Sequence, residues 1–311
     1  MVGANLAAKL ATALIVPSLN SQRIVTKRFE SYKKISDLFP DLVLAEIVAT
    51  RLRKSPETEI LFEELLLVQM IVNVPIDRND FTSIKDLTGI GYLGNLQVLK
   101  LYNSEIEEIP SEICHLSVIK EINIMGAKIT HIPDFIFELH SLNKLSFCNM
   151  NLTTIDKRIK NLRNLQNLIL AHNNLVALPA EIGLLQKLKV LNVHDNPLTI
   201  LPNELIFLPQ LKTLNVSKTK IEFLPYGISK LDKLTLLNVN DTKVTKIDNI
   251  IFNRMQKKLK IIGQQIDYTD NFIVDNMEMS NIKLVTITAF TVTIIVSMAN
   301  MYLGYKKKRR K

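Results

Sequence analysis

An apolar pattern that recurs every 23 residues constrains this chain more than any other feature of its sequence. The pattern is L-x-x-L-x-L, with isoleucine, valine or phenylalanine replacing some of the leucines. Its seven copies begin at Leu96, Ile119, Leu142, Leu165, Leu188, Leu211 and Leu234. Further apolar pairs follow ten and thirteen residues after each start. So many copies at one spacing indicate a stack of identical structural units.

The L-x-L core of each copy predicts a short strand, because alternate side chains of a strand point to the same face. One unit cannot bury these side chains alone, but stacked units bury one another. The sequence therefore predicts an α/β fold, a leucine-rich-repeat solenoid with a curved parallel sheet and about eight repeats. Segments such as residues 110–116 keep a helix-like spacing, from Ile113 to Leu116, and would form the opposite wall.

Incomplete copies flank the seven regular ones and extend the predicted repeats to residues 71–256. The upstream copy is predicted to be 25 residues long. Its first apolar positions are Ile71, Val74 and Ile76. The downstream copy is predicted to form the closing edge strand of a C-terminal cap and juxtamembrane segment over residues 257–283. Its matching positions are Leu259, Ile262 and Gln264.

Residues 30–70 are predicted to form a helical N-terminal cap, because the first repeat of a solenoid would otherwise expose its apolar side. Pro40 is suited to the start of a helix. The apolar residues of that helix share one face and are Leu44, Ile47, Val48 and Leu52. The tripeptide Ser55-Pro56-Glu57 predicts the start of a second helix, with a serine cap and an acid in the first turn.

The stretch from Ile35 to Ser55, ISDLFPDLVLAEIVATRLRKS, resembles the helical N-terminal cap of internalins, which are repeat proteins of Gram-positive bacteria. The stretch from Phe81 to Leu96, FTSIKDLTGIGYLGNL, is similar to the segment that leads into the first full repeats of that family. The resemblance covers roughly residues 35–265. It implies a secreted or surface-exposed protein that binds other proteins through its concave face.

Residues 284–303 are predicted to form one transmembrane helix, because twenty residues without a charge can cross a hydrocarbon core of about 30 Å. The basic tail, residues 304–311, contains the run KKKRRK, whereas residues 267–280 carry four acids and no base. This asymmetry predicts a cytoplasmic tail and a single-pass protein with extracellular repeats. The lipid bilayer is thus an expected partner of residues 284–303.

Residues 1–29 form a possible signal or targeting segment, since they carry four basic residues and no acid. The apolar stretch 10–19 could serve as the core of an export signal. The same composition also fits an organelle presequence. In that alternative the protein is a tail-anchored scaffold or adaptor at an organelle outer membrane, and its repeats face the cytosol.

Charge and motif content argue against catalysis and against nucleic-acid binding. The two basic ends account for the net charge of +9, so residues 30–305 are close to neutral. No nucleophile elbow, metalloprotease, P-loop or dinucleotide motif is present. We therefore expect no enzyme activity, no cofactor, no metal and no small-molecule substrate. His172 and Asp195 occupy one column on adjacent strands, but a metal or catalytic role would require a third group.

The concave face of the sheet is the expected surface for a protein partner. Counting the first leucine of each repeat as position 0, positions 4 and 6 point outward from the strand. The partner-binding candidates at these positions are Lys100, Tyr102, Asn123, Met125, Ile169, Asn192, His194, Asn215 and Asn238. The surface is polar and nearly uncharged. Tyr102, Met125 and Ile169 are the best single candidates, because apolar and aromatic anchors dominate binding energy.

The two cysteines are predicted to remain free thiols. Cys148 follows a strand on the concave edge, whereas Cys114 lies in the opposite wall, where we expect it to fill the core. A disulfide requires α-carbons within about 7 Å. The repeat geometry places these two residues too far apart for that.

Overall fold

The computed structural model describes residues 32–73, 83–102, 104–245 and 259–263, together with the backbone of 273–274 and 277–278. Within these residues the chain forms an N-terminal cap, a nine-stranded parallel sheet and a wall of 3-10 helices opposite the sheet. The buried leucines and isoleucines of all repeats make one continuous core. The segments 1–29 and 284–303 lie outside the described residues, so their predicted roles stay predictions.

The cap consists of a two-stranded antiparallel sheet, two α-helices and one 3-10 helix. Its elements are β1 (Lys33–Lys34), α1 (Ile35–Leu38), α2 (Leu42–Leu52), β2 (Glu59–Ile60) and a 3-10 helix, Phe62–Leu67. The Asp41 carboxylate caps α2 by accepting hydrogen bonds from the amides of Val43 and Leu44, at 3.0 and 2.9 Å. Left-handed Arg53, with φ of 57°, ends α2. The predicted cap helix is present, but it begins at Leu42 rather than at Pro40, because Asp41 provides the N-cap.

The predicted helix start at Ser55 is wrong. Ser55 accepts a hydrogen bond from the Thr58 amide in a turn, and the chain then extends into β2. β2 must be extended because it pairs antiparallel with β1, with Lys34 opposite Glu59. The helical turn comes only afterwards, at Phe62–Leu67.

The sheet places its nine parallel strands side by side in sequence order. They are β3 (Met70–Asn73), β4 (Val98–Leu101), β5 (Glu121–Met125), β6 (Lys144–Cys148), β7 (Asn167–Ile169), β8 (Val190–Asn192), β9 (Thr213–Asn215), β10 (Leu236–Asn238) and β11 (Lys260–Ile262). Leu99 pairs with Ile122, and the same column continues through the five following repeats to Leu237. The 23-residue register predicted for the seven regular repeats is confirmed.

Both outer strands of the sheet depart from the predicted register. In β3, Ile71 pairs with Leu99, so Ile71 occupies position 3 rather than position 0, and the first repeat is longer than predicted. Buried Val68 lies where Ile71 was expected. In β11, Ile261 rather than Ile262 pairs with Leu237. A one-residue shift exchanges the two faces of a strand, and accordingly Ile261 is the buried member of that pair.

The wall opposite the sheet consists of single 3-10 turns. They span Ile90–Tyr92, Ser111–His115, Asp134–Glu138, Lys157–Asn161, Ala180–Leu184, Asn203–Phe207 and Ile228–Lys230. Proline at the position before a turn, as at 110, 133, 179 and 202, sets the extended entry into it. The predicted i, i+3 burial is present, for example at Ile113 and Leu116. A 3-10 helix satisfies that spacing with three residues per turn.

Strands β5–β10 are each followed by a residue in the left-handed region at position 7. Gly126 has φ of 82°, and non-glycine residues hold φ of 52–56° in the next five repeats. These residues are Asn149, His172, Asp195, Lys218 and Asp241. The backbone therefore turns sharply at the same point of these six repeats, and the side chains at position 7 form one column along that edge.

The remaining strands, β12 (Ile273–Val274) and β13 (Met277–Glu278), pair antiparallel. Among the residues that the structure describes, no helix is long and apolar enough to span a membrane.

Candidate functional site: the concave face of the sheet

The face of the sheet that points away from the core is called here the concave face. It is built from positions 2, 4 and 6 of β4–β10 and their following turns. Position 2, which the sequence reasoning did not consider, carries Val98, Glu121, Lys144, Asn167, Val190, Thr213 and Leu236. It belongs to the same face as position 4, since side chains two residues apart on a strand share a face.

Three asparagines predicted to contact a partner also support the backbone locally. The side-chain oxygens of Asn192, Asn215 and Asn238 each accept a hydrogen bond from the amide two residues ahead, at 3.0–3.1 Å. Asn215 also accepts a hydrogen bond from the Ser217 hydroxyl at 2.6 Å. These side chains are half-buried, so they shape the surface where each strand turns away.

The N-terminal part of the concave face combines an aromatic ring with a buried amide. Asn123 Nδ2 donates a hydrogen bond to the Tyr102 hydroxyl at 3.4 Å. Asn123 is only 8% exposed, which corrects its assignment as a surface residue. Its Oδ1 has no hydrogen-bond partner among the described residues. Tyr102 and Met125 remain half-exposed beside it, and Ile169 is half-exposed further along the sheet.

Glu121 lies at the centre of a charged group on the same face. Its carboxylate is 3.2 Å from Lys100 Nζ and 2.8 Å from Lys144 Nζ. Burial raises the pKa of the Glu121 carboxyl, but the two ammonium groups outweigh burial and hold that pKa below its usual value of 4.5. Lys100, predicted as a partner-binding residue, is therefore one member of a three-residue ion-pair network with Glu121 and Lys144.

His172, His194 and Asp195 meet at the turns that follow β7 and β8. His172 Nδ1 lies 2.8 Å from Asp195 Oδ2, and His194 Nδ1 lies 2.7 Å from Ser217 Oγ. The two imidazole rings pack edge to face, with centroids 5.0 Å apart. Burial lowers the pKa of His194, and the neighbouring His172 lowers it further. The sequence predicted the column of His172 and Asp195, but it did not connect them with His194.

The cysteines lie on opposite sides of the solenoid. Cys148, at the end of β6, is buried, and its Sγ is 3.6 Å from Ser146 Oγ. Cys114 is exposed, which contradicts its predicted role in the core. The reason is the 3-10 turn Ser111–His115, which directs Ile113 inward and leaves the next side chain in solvent. Both thiols are unpaired within the described part of the chain.

The sequence matches the leucine-rich repeat region family over residues 156–301. The fold is similar to that of internalin C2 from Listeria monocytogenes, with a TM-score of 0.64, 20% identity and coverage of 78% of this chain and 100% of that chain. A leucine-rich-repeat protein of Leptospira interrogans aligns with a TM-score of 0.53 and 26% identity. That alignment covers 60% of this chain and 53% of the Leptospira chain, about half of its length.

A third similar structure is the leucine-rich-repeat ectodomain of a plant membrane receptor kinase from Arabidopsis thaliana, solved in complex with CASPARIAN STRIP INTEGRITY FACTOR 2. Its TM-score is 0.53 at 24% identity, with 58% of this chain and 23% of that chain covered. No curated protein sequence matches significantly. The comparisons confirm the predicted internalin-like leucine-rich-repeat architecture.

Proposed function

We propose that this internalin-like leucine-rich-repeat protein binds another protein through its concave face and does not act as an enzyme. The observation that carries the proposal is the continuity of that face. Seven consecutive strands, β4–β10, present three outward columns on a backbone fixed by parallel pairing. Such a surface recognises a partner without rearrangement, which limits the entropy lost on binding.

Within the concave face, the N-terminal part is the proposed centre of binding because of its side chains. Tyr102 and Met125 offer half-exposed apolar surface, and the unpaired Oδ1 of Asn123 lies beside them. Because that oxygen is buried, the surface offered to a partner here is the apolar part of Tyr102 and Met125. The plant receptor ectodomain, solved in complex with its factor, shows that a related solenoid engages a partner.

Site-specific photo-crosslinking tests the proposal. A photoreactive amino acid replaces Tyr102 on the concave face or, as a control, Tyr226, which is 91% exposed just before the turn Ile228–Lys230. We expect a discrete adduct of higher mass from position 102 in cells, and none from position 226. Equal adducts from both positions, or adducts from position 226 alone, would reject the concave face.

We further propose that residues 284–303 anchor the protein in a membrane with its repeats on the outer side and its basic tail in the cytoplasm. Support comes from the uncharged length of that segment and from the KKKRRK run that follows it. The alternative is a tail-anchored scaffold with cytosolic repeats, favoured by the weak export signal. Both topologies retain the same binding surface.

The exposed thiol of Cys114 reports on which side the repeats lie. If the repeats are outside, a membrane-impermeant maleimide added to intact cells should label Cys114, because its thiol is exposed. Cys148 should not react, because it is buried. A Cys114→Ser variant serves as the blank. A second chain, in which Lys311→Cys is combined with Cys114→Ser, should react only after the cells are permeabilised. Labelling of Cys114 only after permeabilisation would instead support the cytosolic scaffold.

A further inference from the structure

We propose that His172, His194 and Asp195 bind one divalent transition-metal ion of the Zn²⁺ type at the edge of the concave face. Each residue offers one ligand atom, a ring nitrogen or a carboxylate oxygen, and these atoms lie within 4.8 Å of one another. Imidazole nitrogen with a carboxylate is a donor set that Zn²⁺ and its neighbours prefer, whereas Ca²⁺ and Mg²⁺ favour oxygen alone.

The backbone beneath this cluster is held in place by the repeat. The His172 amide donates to the His194 carbonyl at 2.9 Å, and the Asp195 amide donates to the Ser217 carbonyl at 2.9 Å. His172 and Asp195 both occupy the left-handed position that follows their strands. The α-carbons of the three residues are therefore fixed by neighbouring repeats before any ion arrives.

The side chains are oriented in the way that metal-binding histidines require. In each imidazole, Nδ1 is engaged by an oxygen of the next repeat, Asp195 Oδ2 for His172 and Ser217 Oγ for His194. A hydrogen bond at one ring nitrogen fixes the tautomer and leaves the other nitrogen as the electron-pair donor. For Asp195 to serve as the third ligand, its carboxylate must rotate from His172 Nδ1 towards the ion.

Closure of the site requires only side-chain movement. Ligand atoms around Zn²⁺ lie about 2.0–2.2 Å from the ion and therefore about 3.4 Å from one another, so the present separations of up to 4.8 Å must shrink by about 1 Å. The side chains of His172 and Asp195 are about half exposed, at 50% and 49%, so solvent rather than packed core surrounds the side on which they would move. With three protein ligands at most, water or a group from a partner completes the coordination sphere.

Direct titration of the full-length chain in detergent tests the site. The protein carries no polyhistidine tag, and Cys114→Ser is introduced throughout so that an exposed thiol does not compete for metal. Calorimetry with ZnCl₂ is expected to give one saturable site, and CoCl₂ is expected to give a visible ligand-field absorption. CaCl₂ is expected to give neither response.

Three variants decide the assignment. His172→Ala and His194→Ala should each weaken Zn²⁺ binding at least about ten-fold, with an unchanged far-UV spectrum, because each removes a nitrogen ligand. His131→Ala removes an exposed histidine elsewhere and should bind as the parent does. Unchanged Zn²⁺ affinity in both ligand variants, absence of saturable binding, or equal affinity for Ca²⁺ would overturn the proposal. None of these outcomes bears on the protein-binding role of the concave face.

Discussion

Asn173 joins two repeats through one buried side chain. Its Oδ1 accepts hydrogen bonds from the amides of Met150 and Leu152, both at 3.1 Å. Its Nδ2 donates to carbonyls at three positions, at 2.8–3.2 Å. With the side chain 6% exposed, water cannot replace these contacts. Position 8 of one repeat therefore satisfies the turn of the repeat before it.

Replacing Asn173 with alanine should destabilise the fold by about 2–4 kcal/mol, because buried amides of Met150 and Leu152 lose their acceptor. The matched control is Asn174→Ala, since Asn174 is exposed and reaches only Asn151 Oδ1, at 3.5 Å. The control should stay within about 0.5 kcal/mol of the parent in urea unfolding. Similar losses in both variants would show that the Asn173 bonds contribute little.

Glu121 should make stability depend on pH. Its pKa is lower in the folded chain than the ordinary 4.5, so its ion pairs contribute fully above that value and are lost as pH falls through the folded pKa. Glu121→Gln should cost about 1 kcal/mol at pH 7, and the difference from the parent should vanish in strong acid. Glu107→Gln, which alters a highly exposed pair with Lys128, should change stability little. A pH-independent cost for Glu121→Gln would contradict this role.

The sequence predicts which residues share a column but not which neighbours they contact. Asn173 reaches back to the amides of Met150 and Leu152 in the preceding repeat, a contact that the repeat pattern alone did not indicate. The link to His194 was missed because it crosses from position 7 to position 6 of adjacent repeats. Such diagonal contacts depend on side-chain rotamers, which a repeat pattern does not fix.

Close approach between successive 3-10 turns depends on Gly183. A β-carbon built at this residue would lie 2.3 Å from the Glu204 carbonyl oxygen, a backbone atom that cannot rotate away. Gly183→Ala should therefore cost about 1–3 kcal/mol, as overpacking does. At Gly94 the same addition meets only a methyl of Leu66, at 3.3 Å. Gly94→Ala should have the smaller effect on the midpoint of thermal unfolding, and the reverse order would refute the packing argument.

The registers of the inner strands were predicted correctly because their repeats have equal length and each strand has a neighbour on both sides. The outer strands β3 and β11 have a neighbour on one side only and repeats of other lengths. Ile71 and Val74 repeat the spacing of Leu96 and Leu99, but so do Val68 and Ile71, and only pairing with β4 selects the second choice. Val68, just before β3, is buried in agreement with that register. Sequence periodicity alone carries no information about that pairing.

The stability of the whole molecule depends on contacts between the cap and the repeats, because each repeat of a solenoid otherwise contacts only its neighbours. Two features provide the coupling. Gly89, with φ of 89°, lies so close to the end of α1 that a β-carbon would be 2.1 Å from the Leu38 carbonyl oxygen. Asp41 Oδ2 accepts hydrogen bonds from the amides of Lys85 and Asp86, at 2.8 and 3.2 Å, across more than forty residues of chain.

Substitutions at Asp41 should separate its two tasks. Asp41→Asn retains one side-chain oxygen, which can still cap α2, but replaces the other oxygen with an NH₂ donor. The amides of Lys85 and Asp86 should therefore exchange hydrogen faster, whereas the amide of Leu44 should stay protected. Asp41→Ala removes both acceptors, should accelerate exchange at all three amides, and should lower stability by about 1 kcal/mol more than Asp41→Asn does. Asp37→Asn, at an exposed carboxylate of α1, is the control and should leave exchange at all three unchanged. Protection of the Lys85 amide in Asp41→Asn equal to that in the parent would mean that Asp41 caps its helix without holding the cap to the repeats.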